Sequence, residues 1–394
     1  MSFEFATANR IIFGTGAFAQ IIELSKSLGK RAFVVTGSRT LQASGRLGAL
    51  EESLVKVNVR FFHFAATGEP EIKTVETAMS IARQEKCDLV VGVGGGSSID
   101  LAKAVAGLLN NEGGLRDYLE VVGRGQKLRN PAAPLIAVPT TAGTGAEVTA
   151  NAVIKDPATL QKVSLRSPFL LPRIAVVDPE LTYSLPPEIS AQSGLDALIH
   201  LVEAYTSRKS QPLADALCRD GIGRAGQSLT RAYENGNDQV AREDMALASL
   251  EGGLALANAG LGAVHGFAGV LGGAFPVPHG VACACLLSHV FEANIRKLKE
   301  ESPDSPVLRK YFDVCELLTG TQSETPDEAI ERGLEFILDL NRRLNVAPLS
   351  RFGVKQSDLD EIARKSAQAS SMKANPVTFS EAELADILGK ALGG

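Results

Sequence analysis

The fold is decided by residues 88–103, which read Asp88-Leu-Val-Val-Gly-Val-Gly-Gly-Gly-Ser-Ser-Ile-Asp-Leu-Ala-Lys103. The apolar run before Gly94 predicts a buried strand, and the residues after it predict a helix from about Ser98 to Leu109, with Ser97 or Ser98 as its N-cap. The N–H groups and the dipole at the start of such a helix attract an anion, and the glycines let a pyrophosphate approach the backbone. The stretch therefore predicts either a phosphate-binding loop or a tight turn that binds no ligand.

The segments around this stretch repeat the alternation of short apolar runs with longer amphipathic ones. Strand-like runs occupy residues 31–36, 59–64 and 135–138, shorter ones occupy 151–154, 162–165 and 174–177, and helical spacing covers 71–84. Strands separated by helix-length segments pair in parallel through right-handed crossovers. We therefore expect an α/β domain with a parallel, Rossmann-like sheet over residues 1–184. Asp117 does not end a predicted strand, so a conventional Rossmann ribose-binding acid is missing.

The pattern changes beyond Asp178-Pro179. From Pro187 onward helical periodicity replaces the strand pattern, for example over residues 189–205, 213–233, 240–258 and 326–344. The sequence therefore predicts a second, all-helical domain over residues 185–394.

Composition excludes several classes of protein. The chain has 394 residues with 40 Lys+Arg and 45 Asp+Glu, a formal net charge of -5. A weakly acidic chain without a basic run is not expected to bind nucleic acid or an anionic membrane. The five cysteines form no C-x-x-C pair, and residues 1–10 contain no apolar signal-peptide core. These features predict a cytoplasmic protein with reduced thiols that acts on a small molecule.

A segment free of Asp, Glu, Lys and Arg runs over residues 252–291. Its length would suffice for a membrane span. Glycines and prolines, however, divide it into small-residue pieces, and two of the five histidines lie inside it. We interpret it as buried, closely packed helices and turns.

One aspartate and three histidines form a candidate metal site. Asp196 and His200 are four residues apart and lie on one face of a predicted helix, while His265 and His279 lie in the charge-free segment. One carboxylate and three imidazoles suit a divalent transition ion, and the net charge of +1 would stabilise an alkoxide. Taken singly, the Asp/His pair is equally consistent with a surface or capping pair, and each histidine with a buried structural residue.

Five motifs in order along nearly the whole chain resemble the iron-containing (group III) alcohol dehydrogenase family. They are Gly94-Gly-Gly-Ser-Ser-Ile-Asp100, Pro139-Thr-Thr-Ala-Gly-Thr-Gly-Ala-Glu147, Asp178-Pro179 with Leu185-Pro186, Gly194-Leu-Asp-Ala-Leu-Ile-His200 with Glu203, and Leu271-Gly-Gly-Ala-Phe-Pro-Val-Pro-His-Gly280. The resemblance implies an N-terminal nucleotide domain, a C-terminal helical domain and a cleft between them that holds NAD or NADP and a divalent ion, Fe²⁺ or Zn²⁺. It also implies a homodimer or a higher homo-oligomer.

The resemblance assigns roles to residues of this chain. The metal ligands it implies are Asp196, His200, His265 and His279. The cofactor residues it implies are Gly95, Gly96 and Ser97 on the pyrophosphate loop, Thr140, Thr141 and Thr144 on a second segment, and Lys162.

Two departures from the family pattern stand out. Many relatives carry a further histidine four residues after the third ligand, where this chain has Gly269. NAD-preferring relatives often have an acid after Val-Thr, where this chain reads Gly37-Ser38-Arg39. Without that acid nothing repels a 2′-phosphate, so we hypothesise that NADP is accepted with Ser38 and Arg39 as phosphate partners. The alternative is that Arg39 is an ordinary solvated loop residue.

The resulting hypothesis is reversible hydride transfer between a metal-bound alkoxide and C4 of the nicotinamide, which makes the chain an alcohol dehydrogenase or aldehyde reductase. Three alternatives differ in chemistry: a maleylacetate-type keto-acid reductase, a non-redox enzyme like dehydroquinate synthase, and a redox-inactive nucleotide-binding protein. Cys283 and Cys285 alternate with alanines, which favours an interpretation as small buried hydrophobes.

Overall fold

The computed structural model describes residues 2–37, 40–159 and 161–393. These residues divide into two compact units. Thr7–Thr141 and Gly145–Ser184 form the first, and the described residues from Leu185 onward form the second together with residues 2–6 and Ala142–Thr144.

The first unit is built on a six-stranded parallel sheet in the order β1-β8-β5-β4-β2-β3, and β6 and β7 form a separate antiparallel pair. The strands are β1 (Ile11–Phe13), β2 (Arg31–Gly37), β3 (Arg60–Ala66), β4 (Leu89–Gly94), β5 (Leu135–Pro139), β6 (Asn151–Asp156), β7 (Gln161–Arg166) and β8 (Ile174–Val177). The helices are α1 (Ile21–Leu28), α2 (Thr40–Ala43), α3 (Arg46–Lys56), α4 (Ile72–Gln84), α5 (Gly96–Leu109) and α6 (Leu115–Tyr118). The predicted parallel α/β sheet is confirmed.

Both faces of this sheet are covered. Phe33 and Val35 of β2 enter one apolar cluster, while Ala32 and Val34 enter another. Successive side chains of a strand point to opposite faces, and a sheet buried on both faces needs continuous apolar strands. The apolar sequence pattern that predicts a strand is therefore clear in β2 and β4, all of whose inner residues are buried. The edge strand β1 was not predicted, because its three half-buried residues are too few to show a pattern.

The second unit is helical. Its helices are α7 (Pro187–Thr206), α8 (Pro212–Glu234), α9 (Gln239–Ala259), α10 (Ala263–Ala274), α11 (His279–Glu301), α12 (Pro306–Thr319), α13 (Pro326–Arg343), α14 (Leu359–Ala367) and α15 (Glu381–Gly393). The charge-free segment forms the end of α9, α10 and the start of α11, and most of its residues are buried in the core of this unit. Among the described residues no single helix is long and apolar enough to cross a membrane. Only α9 and α10 as a pair reach that length and composition, and they bend by 100° at their junction.

The core of the second unit contains a carboxyl group that makes its stability depend on pH. Glu251 of α9 is buried, and its Oε2 atom has no hydrogen-bond partner. Burial raises the pKa of this carboxyl from 4.5 to about 8, the neighbouring Asp220 adds to the rise, and Arg224 opposes it. Because the pKa is higher in the folded state, the stabilisation is complete below pH 4.5 and is lost as the pH rises to about 8.

We expect Glu251→Gln to remove this pH dependence. The amide is isosteric with the protonated acid and does not ionise, so the variant should gain roughly 3 kcal/mol relative to the parent between pH 5 and pH 8. Thermal melting of both proteins at the two pH values measures the effect as a difference in Tm that grows with pH. A difference that stays constant from pH 5 to pH 8 would contradict it.

Candidate functional site

Three helices of the second unit bring the aspartate and the histidines together. α7 carries Asp196 and His200, α10 carries His265 in its first turn, and α11 begins at His279. The Asp196 Oδ1 atom lies 3.8 Å from His200 Nε2, 3.3 Å from His265 Nε2 and 3.7 Å from His279 Nε2. One carboxylate oxygen is thus the common neighbour of three imidazole nitrogens.

A glycine lets α11 begin at this point. A Cβ on Gly280 would collide with the backbone oxygen of Gln192 in α7. Only a residue without a side chain allows the first turn of α11 to approach α7 so closely. The His-Gly pair therefore places His279 next to the helix that carries Asp196.

Glu203 of α7 holds His265 in position. Its Oε1 accepts a hydrogen bond from the Val264 N–H at 2.7 Å, and its Oε2 accepts one from the His265 N–H at 3.4 Å. The same Oε2 lies 2.6 Å from His265 Nδ1. A hydrogen bond from Nδ1 to a carboxylate directs the lone pair of the other ring nitrogen, Nε2, toward Asp196. Glu203 therefore both caps the start of α10 and sets the orientation of the His265 ring.

Cys283 also belongs to the cluster. Its Sγ lies 3.8 Å from His265 Nε2 and 3.8 Å from His279 Nε2. Asp196, His265, His279 and Cys283 each offer one ligand atom, and these four atoms lie within 4.8 Å of one another. The interpretation of Cys283 as a small buried hydrophobe was therefore incomplete. A signal was present, because Cys283 lies four residues after His279 on the same helix face.

The charges of these groups are strongly coupled. Burial opposes ionisation of Asp196, yet the three imidazoles lower the pKa of its carboxyl below its usual range. Burial lowers the pKa of His200 to about 4, against the opposite effect of Asp196, so its ring is neutral. Burial also opposes protonation of His265, but the Cys283 sulfur and the two carboxylates raise its pKa well above the usual value. The arrangement therefore favours positive charge inside the cluster.

The donor set fits a divalent transition ion. Neighbouring ligands of a tetrahedral ion lie about 3.3–3.6 Å apart when the metal–ligand bonds are about 2.0–2.3 Å. The separations from Asp196 Oδ1 are 3.3–3.8 Å. A buried carboxylate with several imidazoles suits iron or zinc better than calcium or magnesium, which prefer oxygen ligands.

The glycine loop lies at the carboxyl end of β4 in the first unit. α5 begins at Gly96 and is capped by Gly95 without a side-chain hydrogen bond, so the predicted cap at Ser97 or Ser98 and the predicted start near Ser98 are wrong. Gly95, Gly96 and Ser97 are partly accessible, whereas Ser98 is buried. The Gly95 carbonyl accepts hydrogen bonds from the Ser98 and Ile99 N–H groups at 3.0 and 3.2 Å. The Ser98 side chain packs against Gly94, where a Cβ would lie 2.5 Å from Ser98 Oγ.

Of the other predicted cofactor residues, Thr140 and Thr141 lie next to this loop. The Thr140 N–H donates to the Gly94 carbonyl at 3.0 Å, and the Thr141 Oγ1 lies 3.4 Å from where a Gly95 Cβ would be. Thr144 is exposed. Lys162 on β7 forms an ion pair with Glu69.

Position 37 lies beside the glycine loop. The Gly37 nitrogen is 3.1 Å from where a Gly94 Cβ would be, at the end of β2. Ser38 and Arg39, the two predicted partners of a 2′-phosphate, lie outside the described residues.

Comparison with known proteins identifies the family of this chain. A family model for iron-containing alcohol dehydrogenase matches residues 8–179, and the C-terminal model of the Fe-containing alcohol dehydrogenase family matches residues 190–392. The chain belongs to the iron-containing alcohol dehydrogenase family. As an alcohol dehydrogenase of this family, it carries out metal-dependent, nicotinamide-linked interconversion of an alcohol and its carbonyl compound.

Relatives of this alcohol dehydrogenase match it over nearly its whole length. Alcohol dehydrogenase 4 of Saccharomyces cerevisiae is 36% identical over 383 residues, covering 96% of each chain. A solved structure of 1,3-propanediol oxidoreductase matches with a TM-score of 0.91 and 32% identity, over 99% of this chain and 100% of that one. Sulfoacetaldehyde reductase from Bifidobacterium kashiwanohense in complex with NAD⁺ matches with a TM-score of 0.87 and 26% identity, over 100% of this chain and 99% of that one.

The alcohol dehydrogenase has open space at position 269, where many family members have a histidine. Gly269 is exposed on α10, one turn after His265. Among the described residues, no heavy atom beyond its immediate surroundings lies within 4 Å of where a Cβ would be. Gly269 has no side chain that could relay a proton.

Proposed function

We propose that Asp196, His200, His265 and His279 hold the divalent ion of this alcohol dehydrogenase, and that Gly95, Gly96 and Ser97 bind the pyrophosphate of NAD or NADP. The observation that carries the proposal is the approach of three imidazole nitrogens to one buried carboxylate oxygen, at 3.3–3.8 Å. Iron is the first candidate for the ion, and zinc is the second.

The ion supplies the positive charge that favours loss of the alcohol proton and stabilises the negative charge that develops before hydride leaves. Asp196 reduces the net charge of the site to +1, and the neutral imidazoles add ligands without changing it. Glu203 keeps the His265 ring in the orientation that binds. The side chain of His279 is 37% exposed, so the site is open to small molecules on that side.

The nucleotide is proposed to bind where β4 meets α5. The accessible backbone of Gly95, Gly96 and Ser97 lies at the positive end of the α5 dipole. Thr140 and Thr141 border this loop, and Thr144 and Lys162 are proposed to contact the nucleotide farther along. Binding by Lys162 requires it to exchange its ion pair with Glu69 for the nucleotide.

The proposed activity is tested on the purified protein by metal analysis and by a panel of alcohols and aldehydes with each cofactor, followed at the absorbance of the reduced nicotinamide. We expect one divalent ion per chain and an alcohol-dependent absorbance change, both of which a strong chelator removes. A keto acid in the same panel tests the maleylacetate-type alternative. A fully metallated protein that reduces neither cofactor with any alcohol would contradict the proposal.

Acceptance of NADP is proposed from the residue at position 37. Gly37 is partly accessible beside the glycine loop and presents no carboxylate to a 2′-phosphate. Ser38 and Arg39 are the proposed partners of that phosphate. A cytoplasmic location and a homodimeric or larger assembly stay predictions from the sequence.

We expect Gly37→Asp to lower kcat/KM for NADP by about tenfold or more, because like charges placed together cost several kcal/mol. The site accepts a side chain, since the nearest atom to a Cβ at position 37 is Ser98 Oγ at 3.6 Å. Gly37→Asn is the matched control, because it has the same shape without the charge. Steady-state kinetics with both cofactors give the result. Equal NADP-to-NAD ratios in the two variants would show that charge at this position does not select the cofactor.

A further inference from the structure

The four atoms that lie closest together in the metal cluster include a sulfur in place of His200. They are Asp196 Oδ1, His265 Nε2, His279 Nε2 and Cys283 Sγ. Asp196, His265 and Cys283 are buried, so this is an enclosed donor set rather than a chance group of surface side chains.

The distances match those around a tetrahedral ion bound by a thiolate. Zinc–nitrogen bonds of about 2.0 Å and a zinc–sulfur bond of about 2.3 Å separate neighbouring nitrogen and sulfur ligands by about 3.6 Å. Cys283 Sγ lies 3.8 Å from both imidazole nitrogens. An ion can therefore take all four ligands with small adjustments of the side chains.

Cys283 differs from the other cysteines in its surroundings. Cys285, two residues farther along α11, hydrogen-bonds to the Ala347 carbonyl at 3.2 Å, and burial raises the pKa of its thiol to about 12. Burial also raises the pKa of the Cys87, Cys218 and Cys315 thiols above their usual value. In the described part of the chain, only the group around Cys283 combines a cysteine with several nearby metal-ligating side chains.

We propose that Cys283 is a direct ligand of a thiophilic divalent ion such as Zn²⁺, in a set with Asp196, His265 and His279 from which His200 is released. Binding breaks the S–H bond and forms a metal–sulfur bond, and the proton leaves to solvent. The proposal rests on the metal centre proposed above and adds a second way of occupying it.

The two ligand sets share Asp196, His265 and His279, and the fourth ligand is either His200 or Cys283. The identity of the ion decides which of the two sets forms. Iron-type ions keep the Asp196 and three-histidine set, whereas thiolate ligands favour zinc. An iron-type ion held by the Asp196 and three-histidine set has coordination positions beyond four for an alcohol, whereas a tetrahedral zinc bound through Cys283 has none, as in structural zinc sites. Zinc bound through Cys283 should therefore compete with the active ion and reduce turnover.

X-ray absorption of the zinc-loaded protein tests the ligand directly. We expect a sulfur scatterer at about 2.3 Å in the parent protein and in Cys285→Ser, and its loss in Cys283→Ser. In the cobalt-loaded protein, the same comparison should show a sulfur-to-cobalt charge-transfer absorption that disappears only in Cys283→Ser. The Kd for zinc should rise at least about tenfold in Cys283→Ser and stay unchanged in Cys285→Ser.

The outcomes separate this proposal from the proposed function. One zinc per chain with only nitrogen and oxygen scatterers in the parent protein would overturn the role of Cys283 and leave the metal centre intact. A parent protein that binds no divalent ion would overturn both. The measurement on the parent protein decides the question even if Cys283→Ser does not fold.

Discussion

Replacing Asp196 with asparagine is expected to remove the bound metal and to lower kcat/KM for alcohol oxidation by at least about a thousandfold. The Asp196 Oδ1 atom is the common neighbour of His200, His265 and His279. Asparagine keeps the shape of the side chain but removes the only negative charge among the four proposed ligands. The ion then has to enter a buried site whose three remaining proposed ligands are neutral imidazoles, which is strongly unfavourable.

Metal content and kinetics must be measured on the same samples, because the prediction is that both are lost together. Asp313→Asn is the matched control, since the Asp313 carboxylate pairs with Arg219 and Arg309 and accepts a hydrogen bond from Tyr205. It should keep its metal and most of its activity. The circular dichroism spectrum of Asp196→Asn should match that of the parent without metal, because the apolar core of the second unit does not include the ion. Full turnover in a metal-free Asp196→Asn protein would refute the assignment.

The sequence predicts those features of the metal centre that depend on a regular spacing of residues along one helix. Asp196 and His200 lie one turn apart on α7, as their separation of four residues requires. The parallel sheet was predicted for a similar reason, since β2 and β4 are buried on both faces and read as continuous apolar runs.

The parts that were missed depend on contacts between segments distant in sequence. Cys283 alternates with alanines, and only the approach of α10 to α11 shows that its sulfur faces His265 as well as His279. The cap of α5 was wrongly placed on a serine, because the pattern of cap residues does not show that the Ser98 side chain packs against Gly94. Glu203 was part of a quoted motif, but its function follows from the position of α10, which the sequence alone does not specify.

The position of Glu203 leads to the second large effect. We expect Glu203→Gln to weaken metal binding by about 10–100-fold, the usual cost of losing a group that orients a ligand. The carboxylate accepts hydrogen bonds on both oxygens, from Val264 on Oε1 and from His265 on Oε2. An amide has only one acceptor oxygen, so its NH₂ group must face either the Val264 N–H or the imidazole N–H. Two hydrogen-bond donors then face each other in a buried site, so either the start of α10 or the His265 ring must shift.

We expect Glu203→Gln to change the metal affinity more than it changes turnover at saturating metal. Metal Kd values, obtained by titrating the chelator-treated protein, are therefore the primary measurement, and kcat at saturating metal is the second. Glu251→Gln is a suitable control, because it makes the same carboxyl-to-amide change at another buried position of the same unit, whose charged neighbours are Asp220 and Arg224. If Glu203→Gln bound metal as tightly as Glu251→Gln, the orientation of His265 would not depend on this carboxylate. The position of Glu203 also depends on Gly262, since a Cβ there would lie 2.8 Å from Glu203 Oε1 and displace the carboxylate from the start of α10.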